Sequence, residues 1–298
     1  MNESVATLGV FDGVHLGHQE VMCHVREGAR ELGVPGVVIT FDRHPTDVLQ
    51  CRPEPFITSL EHRLQLFEDL GIDATVVIEF AENIAQMPAR EFARCFFGTL
   101  LGVDKLVLGF DARFGHEAGG DVQLCRAMSD ELDMETEQVS PVYVEGEVAS
   151  STRVRSAVQN ADLDMAEKLL GRPFSLLGTV VHGAGLGQEL GYPTANLDVH
   201  HELVPEAGVY ATWIHVDDGA YRSVTSVGTR KTFPDLEDDR TVVEVHLINE
   251  EMDLYGKDVE VQFEGRLRAQ KRFSKADQLV DQISEDVETA RNMLQDGD

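Results

Sequence analysis

The sequence predicts an α/β domain built on a parallel sheet, followed by a small antiparallel β-barrel and a C-terminal helix. Three observations carry this expectation. From Val5 to about Leu170, strand-like apolar runs alternate with segments of helical period. After Leu170 the rhythm changes to runs rich in Val, Tyr, Thr and Trp with turn residues between them. Between the two regimes Gly171-Arg172-Pro173 breaks the helical pattern, which sets the expected domains at 1–170 and 171–298.

In the first domain strands are expected at Ala6–Phe11, Gly36–Phe41, Ala74–Phe80, Lys105–Phe110 and Gln138–Val144, where apolar and β-branched residues run together. Helices are expected between them at Gly17–Leu32, Ser59–Leu70, Pro88–Leu100 and Gly119–Glu131. A parallel sheet of this kind is covered on both faces and binds ligands outside the carboxyl ends of its strands. In the second domain the strands are expected at Phe174–His182, Gly208–Val216, Arg222–Gly228, Thr241–Ile248 and Lys257–Glu264. The last helix is amphipathic: Leu279, Val280, Ile283, Val287, Ala290 and Leu294 share one face, and Asp277, Asp281, Glu285 and Glu288 lie largely elsewhere.

Composition narrows the setting. Twenty-five Lys+Arg oppose 53 Asp+Glu, a net charge of −28, and only six of the cations are lysines. A chain so acidic is not held on nucleic acid by a general basic surface. The acids are spread through apolar-bearing segments, so they do not form a disordered tail. The first residues show neither a basic n-region nor an apolar core of the secretory type. The longest uncharged stretch, Pro173–Gln188, holds four glycines and is no membrane helix. Cys23, Cys51, Cys95 and Cys125 form no C-x-x-C pair and read as reduced thiols. A cytoplasmic protein is expected, a monomer or weak homo-oligomer, with no membrane and no nucleic-acid partner.

The first chemical signal follows the first strand. In Gly9-Val10-Phe11-Asp12-Gly13-Val14-His15-Leu16-Gly17-His18, glycines permit a tight turn and a helix opens near Gly17. Backbone N–H groups at a helix N-terminus bind anions, and His15 and His18, three residues apart, lie on one side of the first turn. A metal pair is the rival reading, but it needs further ligands and more often has i, i+4 spacing. The second signal is the glycine-rich run from His182 to Asn196, in which Gly183, Gly185 and Gly187 alternate before Pro193-Thr194-Ala195-Asn196. Alternate glycines let backbone amides cup phosphates, although the run is no Walker loop.

The string GVFDGVHLGHQ resembles the nucleotidyltransferase signature of the prokaryotic bifunctional riboflavin kinase/FAD synthetase family. Further segments resemble that family in order: FDRHP (Phe41–Pro45), Ser59–Asp73, GFDARFG (Gly109–Gly115), SSTRVR (Ser150–Arg155), PTAN, and Val243–Leu247. The resemblance implies a Rossmann-like nucleotidyltransferase domain followed by a riboflavin kinase barrel, with riboflavin, FMN, FAD and ATP as partners. ATP is the implied co-substrate and Mg²⁺ the implied metal. In the first domain it assigns His15 and His18 to catalysis, and Gly9, Phe11, Gly17, Ser151, Thr152 and Arg155 to ATP. Asp111, Arg113 and Phe114 fall to the flavin, although Phe114 reads equally well as core. Asp12 and Asp111 suit loop fixing better than proton chemistry. In the second domain Gly183, Gly185, Gly187, Thr194 and Asn196 go to ATP, Thr194 and Asn196 to the metal, and Arg266 to the flavin. Glu244 becomes the base that takes the proton of riboflavin's 5′-hydroxyl.

The chain departs from the family pattern in three places. Leu186 and Gln188 stand where basic residues are common, Ser226–Lys231 replaces Asn-x-Gly-Thr-Arg-Pro, and Ala112 takes a commonly aromatic position.

The −28 itself implies a saline interior, because salt shortens the Debye length to about 3 Å at 1 M and relieves self-repulsion. The thermal midpoint is expected to rise as KCl is added. A midpoint that stays flat or falls removes salt adaptation as the explanation of the charge.

Overall fold

The computed structural model describes residues 3–43, 54–182, 191–200, 203–217, 219–229, 241–250, 252–271, 273 and 275–294. Two compact units divide the chain, Met1–Ser151 and Thr152–Asp298. Among the described residues no helix is long and apolar enough to cross a membrane.

In the first unit β1 (Ser4–Leu8) leads through a turn into α1 (Leu16–Leu32), followed by β2 (Gly36–Phe41), α2 (Leu60–Asp69) and β3 (Ala74–Ile78). After a single turn at Ala89–Phe92, the π-helical α3 (Ala93–Leu100) precedes β4 (Val103–Gly109), α4 (Val122–Ala127) and β5 (Glu135–Val139). The five strands are all parallel, in the order β3-β2-β1-β4-β5. Strand order reverses between β1 and β4, so the carboxyl ends of those two strands flank the crevice where ligands enter such sheets. Every residue of β1 and β2 is buried, as central strands covered on both faces require. On one face Val5, Val38 and Val107 pack with Val21, Met22, Val25 and Ala29 of α1. On the other, Ala6, Ile39, Leu106 and Leu108 meet Phe92, Phe97, Phe114 and Cys125. Burial pushes the Cys125 thiol up to about 12, which makes it an inert packing group. Gly33 ends α1 in the left-handed conformation (φ 72°), its N–H donating to the Ala29 carbonyl at 2.9 Å.

The fifth strand is three residues early relative to the sequence expectation. Pro141 supplies no ladder N–H, and beyond it the chain turns back as a hairpin of β6 (Tyr143–Val144) and β7 (Glu147–Val148). Glu145 and Gly146 both have positive φ (53° and 85°), the signature of a two-residue hairpin turn. The helix expected from Gly119 starts at Val122, because the Asp121 carboxylate caps it by accepting from Leu124 N–H at 2.9 Å.

Helices α5 (Ser151–Gln159) and α6 (Leu163–Leu170) come next, and Gly171 caps α6 at φ 69°. The second of these ends where the sequence pattern breaks, at Gly171-Arg172-Pro173. The barrel then closes on itself in the order β10-β11-β12-β9-β8-β13. Its strands are β8 (Phe174–Val181), β9 (Ala195–Val199), β10 (Gly208–Val216), β11 (Gly219–Thr229), β12 (Thr241–Leu247) and β13 (Asp258–Ala269). One strand more than expected is present, β9, which the glycine-rich run had masked in the sequence. Inside, Tyr210 packs edge-on to Phe263, and the Thr212 hydroxyl pairs with those of Ser223 (2.8 Å) and Thr225 (2.7 Å). These buried hydroxyls satisfy one another, as a polar core group must.

Outside, Val209, Ala211, Val224 and Ile248 are covered by Ala290 and Leu294 of the last helix, α7 (Ala276–Met293) and its cap. A buried ion pair fixes that helix: Arg268 Nε donates to both Asp286 oxygens (2.9 and 3.0 Å) and Nη2 to one of them (2.7 Å). The bidentate fork is the strong form of such a pair. Removing one partner strands the other charge, so Asp286→Asn is expected to cost about 3 kcal/mol in urea unfolding. A loss below about 0.5 kcal/mol, the range of an exposed pair, would show that the bridge does not hold the helix.

Candidate active sites

The first site is made by the turn between β1 and α1. Phe11 (φ 53°), Gly13 (φ 80°) and Val14 (φ 44°) all take left-handed backbone conformations. For glycine this is free, but for a bulky ring and a β-branched residue it is strained. Asp12, 2% exposed, holds the turn in place. Its carboxylate accepts from Ile57 N–H (3.0 Å) and Thr58 N–H (3.1 Å), while Gly13 N–H donates to the Thr58 hydroxyl (2.9 Å). Arg63 of α2 secures the preceding residue, donating from Nη1 to the Val10 carbonyl at 2.6 Å. Gly9 has a reason of its own: a Cβ there would lie 2.8 Å from the Phe11 ring folded over it.

The turn delivers two histidines to the start of α1. His15 is the N-cap, and its Nδ1 accepts from Gly17 N–H at 3.1 Å. That bond makes Nδ1 the acceptor and leaves the proton of the neutral ring on Nε2. The His18 ring stacks on His15 with centroids 3.6 Å apart and meets Phe11 edge-on at 5.2 Å. Burial, then the neighbouring His15, then Arg63 hold the His18 pKa well below the ordinary value. Its Nδ1 is buried without a hydrogen-bond partner. A Cβ on Gly17 would press to 3.1 Å from the His15 ring, so glycine here keeps the pair stacked. The first turn of α1 carries no acidic residue, which leaves its N-terminal field free for an anion.

Ser151 joins this site directly, donating from Oγ to the Asp12 carbonyl at 2.9 Å. Thr152 is exposed and Arg155 is 7% exposed on the same helix, within the second unit. At the end of β4, Asp111 and Arg113 are exposed, with Arg113 Nη1 donating to the Ala112 carbonyl (3.0 Å). Phe114 faces inward. It is 5% exposed, lies 5.5 Å from Phe97 and 5.6 Å from Phe92, and bridges to Gly120. Its observed place is therefore in the core beneath the loop. Phe110, 42% exposed, is the aromatic ring that this strand end presents to solvent.

The second site lies on the outside of the barrel. Antiparallel register sets Glu244 opposite Asn196 on one side and Ser226 on the other, so the three side chains form a row on one face. Val243, Val245 and Leu197 alternate with them and are buried inward. His246, two residues beyond Glu244 on the same face, bonds through Nδ1 with the Pro193 carbonyl (2.8 Å) and meets Tyr192 edge-on (5.4 Å). That contact fastens the turn carrying Thr194 to the strand carrying Glu244. Beside it opens a cleft of about 680 Å³, lined by Tyr192, Pro193, His246, Leu247, Asn249 and Arg291 among others. Sequence reasoning missed His246, although its i, i+2 spacing from Glu244 on a strand was a usable signal.

Two expectations for this site stand elsewhere. Gly183, Gly185 and Gly187 lie outside the described residues. Arg266 is on β13, separated from β12 around the barrel by β8 and β9 one way and by β10 and β11 the other. There it donates to Glu206 (2.8 Å) and to the Ala207 carbonyl (2.9 Å), so the structure does not bring it to Glu244.

Thr194 and Asn196 offer neutral oxygen donors. Such donors suit Mg²⁺, which keeps water and nucleotide phosphates as most of its ligands. Among the described residues no group of three or more His, Cys, Asp or Glu side chains could hold a metal ion.

Comparison with known proteins finds a family for each half of the chain. Residues 1–153 match the family described as FAD synthetase, and residues 170–294 the family described as riboflavin kinase. The chain is 36% identical over 287 residues to the bifunctional riboflavin kinase/FMN adenylyltransferase of Pseudomonas fluorescens, spanning 96% of this chain and 92% of that one. The protein described in the same words from Bacillus subtilis (strain 168) is 33% identical over 97% of this chain and 92% of its own. A crystal structure of a protein described as a macrolide-efflux protein from Streptococcus pneumoniae has a TM-score of 0.86 at 33% identity, covering 98% and 94% of the two chains. Two matched halves in one chain, and relatives alike over nearly its whole length, place this protein in the bifunctional riboflavin kinase/FMN adenylyltransferase family.

Proposed function

We propose that the chain phosphorylates riboflavin to FMN and adenylylates FMN to FAD, with ATP consumed at both sites. The observation that carries this reading is the presence of two separate constellations, a stacked histidine pair at a helix N-terminus and a Glu–Asn row on a barrel, within one family member. Adenylyl transfer needs orientation and charge stabilisation more than a nucleophilic side chain. An FMN phosphate oxygen attacks the α-phosphorus of ATP, the bond to the β-phosphate oxygen breaks, and pyrophosphate leaves. His15 and His18 offer Nε2–H donors to the triphosphate, beside the backbone N–H groups that open α1. Ser151 and Thr152 are assigned to the nucleotide and Arg155 to the departing pyrophosphate, where a guanidinium fork suits the charge. Asp111, Arg113 and the exposed ring of Phe110 form the flavin-facing end of β4 in this reading.

At the barrel the 5′-hydroxyl of riboflavin attacks the γ-phosphorus, ADP leaves, and Glu244 accepts the hydroxyl proton. Bound Mg²⁺ neutralises charge on the transferring phosphates, and Thr194 and Asn196 are the residues that would hold it. The cleft beside His246 is of the size that takes a small organic ligand and is assigned to the flavin. Arg266, occupied by Glu206, is left with a structural place. The domain division, FAD synthetase in 1–170 and riboflavin kinase in 171–298, follows from the same assignment, as does a cytoplasmic location, while work in concentrated salt rests on the net charge of −28.

Purified protein incubated with riboflavin, ATP and Mg²⁺ in low and high KCl is expected to yield both FMN and FAD on chromatography. FMN alone would show a dead adenylyl site, and neither product would sink the proposal. Glu244→Gln is expected to reduce FMN formation by about 10²- to 10⁴-fold, the usual worth of a general base. Conversion of supplied FMN to FAD should be nearly unchanged; loss of both reactions in a folded variant would contradict two independent sites.

A further inference from the structure

Arg63, on the helix that follows the first site's turn, is a buried cation to which the sequence motifs assign no role. It is 1% exposed, yet among the described residues no carboxylate hydrogen-bonds to it. Instead it donates to three neutral oxygens: from Nη1 to the Val10 carbonyl (2.6 Å) and the Thr40 hydroxyl (3.2 Å), and from Nη2 to the Phe41 carbonyl (3.2 Å). Its Nε is buried without a partner, and the guanidinium lies 5.0 Å from the centre of the Phe56 ring. A buried cation without a paired anion is costly, so its retention calls for a use. The next turn of the same helix gives the second half of the argument. Phe67 packs edge-on against Phe11 at 6.0 Å, and Phe11 in turn meets His18. Helix α2 therefore braces both the floor of the turn and the ring that supports the histidine.

We propose that Arg63 is a positioning residue for adenylyl transfer, a permanent buried charge that fixes the β1–α1 turn and keeps His18 a neutral donor for the triphosphate. Three features of geometry agree. The unpartnered Nδ1 of His18 would become a buried N–H without an acceptor if the ring were protonated. The stacked His15 ring, whose Nδ1 already accepts from Gly17, cannot share a second positive charge cheaply. A guanidinium stays charged across the whole working range of pH, so its repulsion is constant. The groups acting on His18 are His15 and Arg63, and those acting on Arg63 are Asp12 and Asp42. The site thus stores cationic field in a residue that never meets solvent, and the arriving phosphates encounter it through the backbone and the stacked imidazole pair.

The proposal rests on the adenylyltransferase reading, but its first test does not. The His18 ring of the ligand-free protein, followed by NMR from pH 4 to 8, is expected to stay neutral to well below the ordinary histidine value of about 6.5. Titration at the ordinary value in the wild-type protein overturns the proposal, whether or not FAD is made. In Arg63→Met the His18 pKa is expected to rise measurably while remaining below the ordinary value, because burial is the larger cause. The acid limb of kcat/KM for FMN adenylylation should move upward with it, while riboflavin phosphorylation keeps its profile. Arg63→Lys retains the charge and is expected to keep His18 low. A purely structural role would lower the melting temperature of both variants and leave the His18 titration where it is in the wild type, which also overturns the proposal. If Arg63→Met does not fold, the wild-type and Arg63→Lys titrations still decide it.

Discussion

A short turn in which Phe11 and Val14 are both left-handed does not hold itself together. Each of those residues would relax to an extended conformation if released, and the histidines that follow would lose their place. The Asp12 carboxylate prevents this by accepting backbone N–H groups from Ile57 and Thr58, residues far along the chain that lead into α2. One buried side chain thus couples the exit of β1 to the entry of α2. It fixes where α1 begins, and with that the His15 cap, the stacking of His18 and the approach of Ser151. The strain is local and its restraint is distant, a common arrangement at sites that must be pre-formed. In this light Asp12 is a structural acid despite its position inside a catalytic motif.

How much of this was legible in the sequence depended on whether the signal was periodic. The parallel strands β1 to β4 followed from apolar runs, because central strands buried on both faces need no polar residue. The β5 boundary shifted because Pro141 and the short β6 strand beyond it were read as its continuation. Strand β9 was invisible beside the glycines that precede it, although its pairing with β12 is what brings Asn196 to Glu244. Motifs directed attention to His15, His18 and Glu244, and the structure stacks the first two and sets the third opposite Asn196. Motif position did not reveal orientation: Phe114 turned out to pack against Phe92 and Phe97, and Arg266 to bind Glu206. Arg63 was beyond reach, because a charged residue on an amphipathic helix looks solvated until its three carbonyl and hydroxyl partners are known.

The two sites meet the acidic character of the chain in different ways. ATP and FMN are polyanions, and a surface at −28 repels both at low ionic strength. The first site answers with groups that surface charge does not dilute: helix N–H donors, imidazoles and a guanidinium sealed from water. The barrel site presents a turn pinned to a strand by His246, with the neutral oxygens of Thr194 and Asn196 beside Glu244. Neither arrangement needs a patch of lysines.

The two sheets also differ in how they end. A closed barrel has every strand paired on both sides, whereas the parallel sheet terminates in β3 and β5. Unpaired strand rims are templates for wrong association, and charge is one of the usual protections. Strand β5 carries Glu135 and Glu137 within its five residues; β3, reading Ala-Thr-Val-Val-Ile, carries none. Salt screens the mutual repulsion between acidic molecules. Of the two rims of the parallel sheet, β5 therefore carries its own protection in charge and β3 does not, while the closed barrel has no rim to protect.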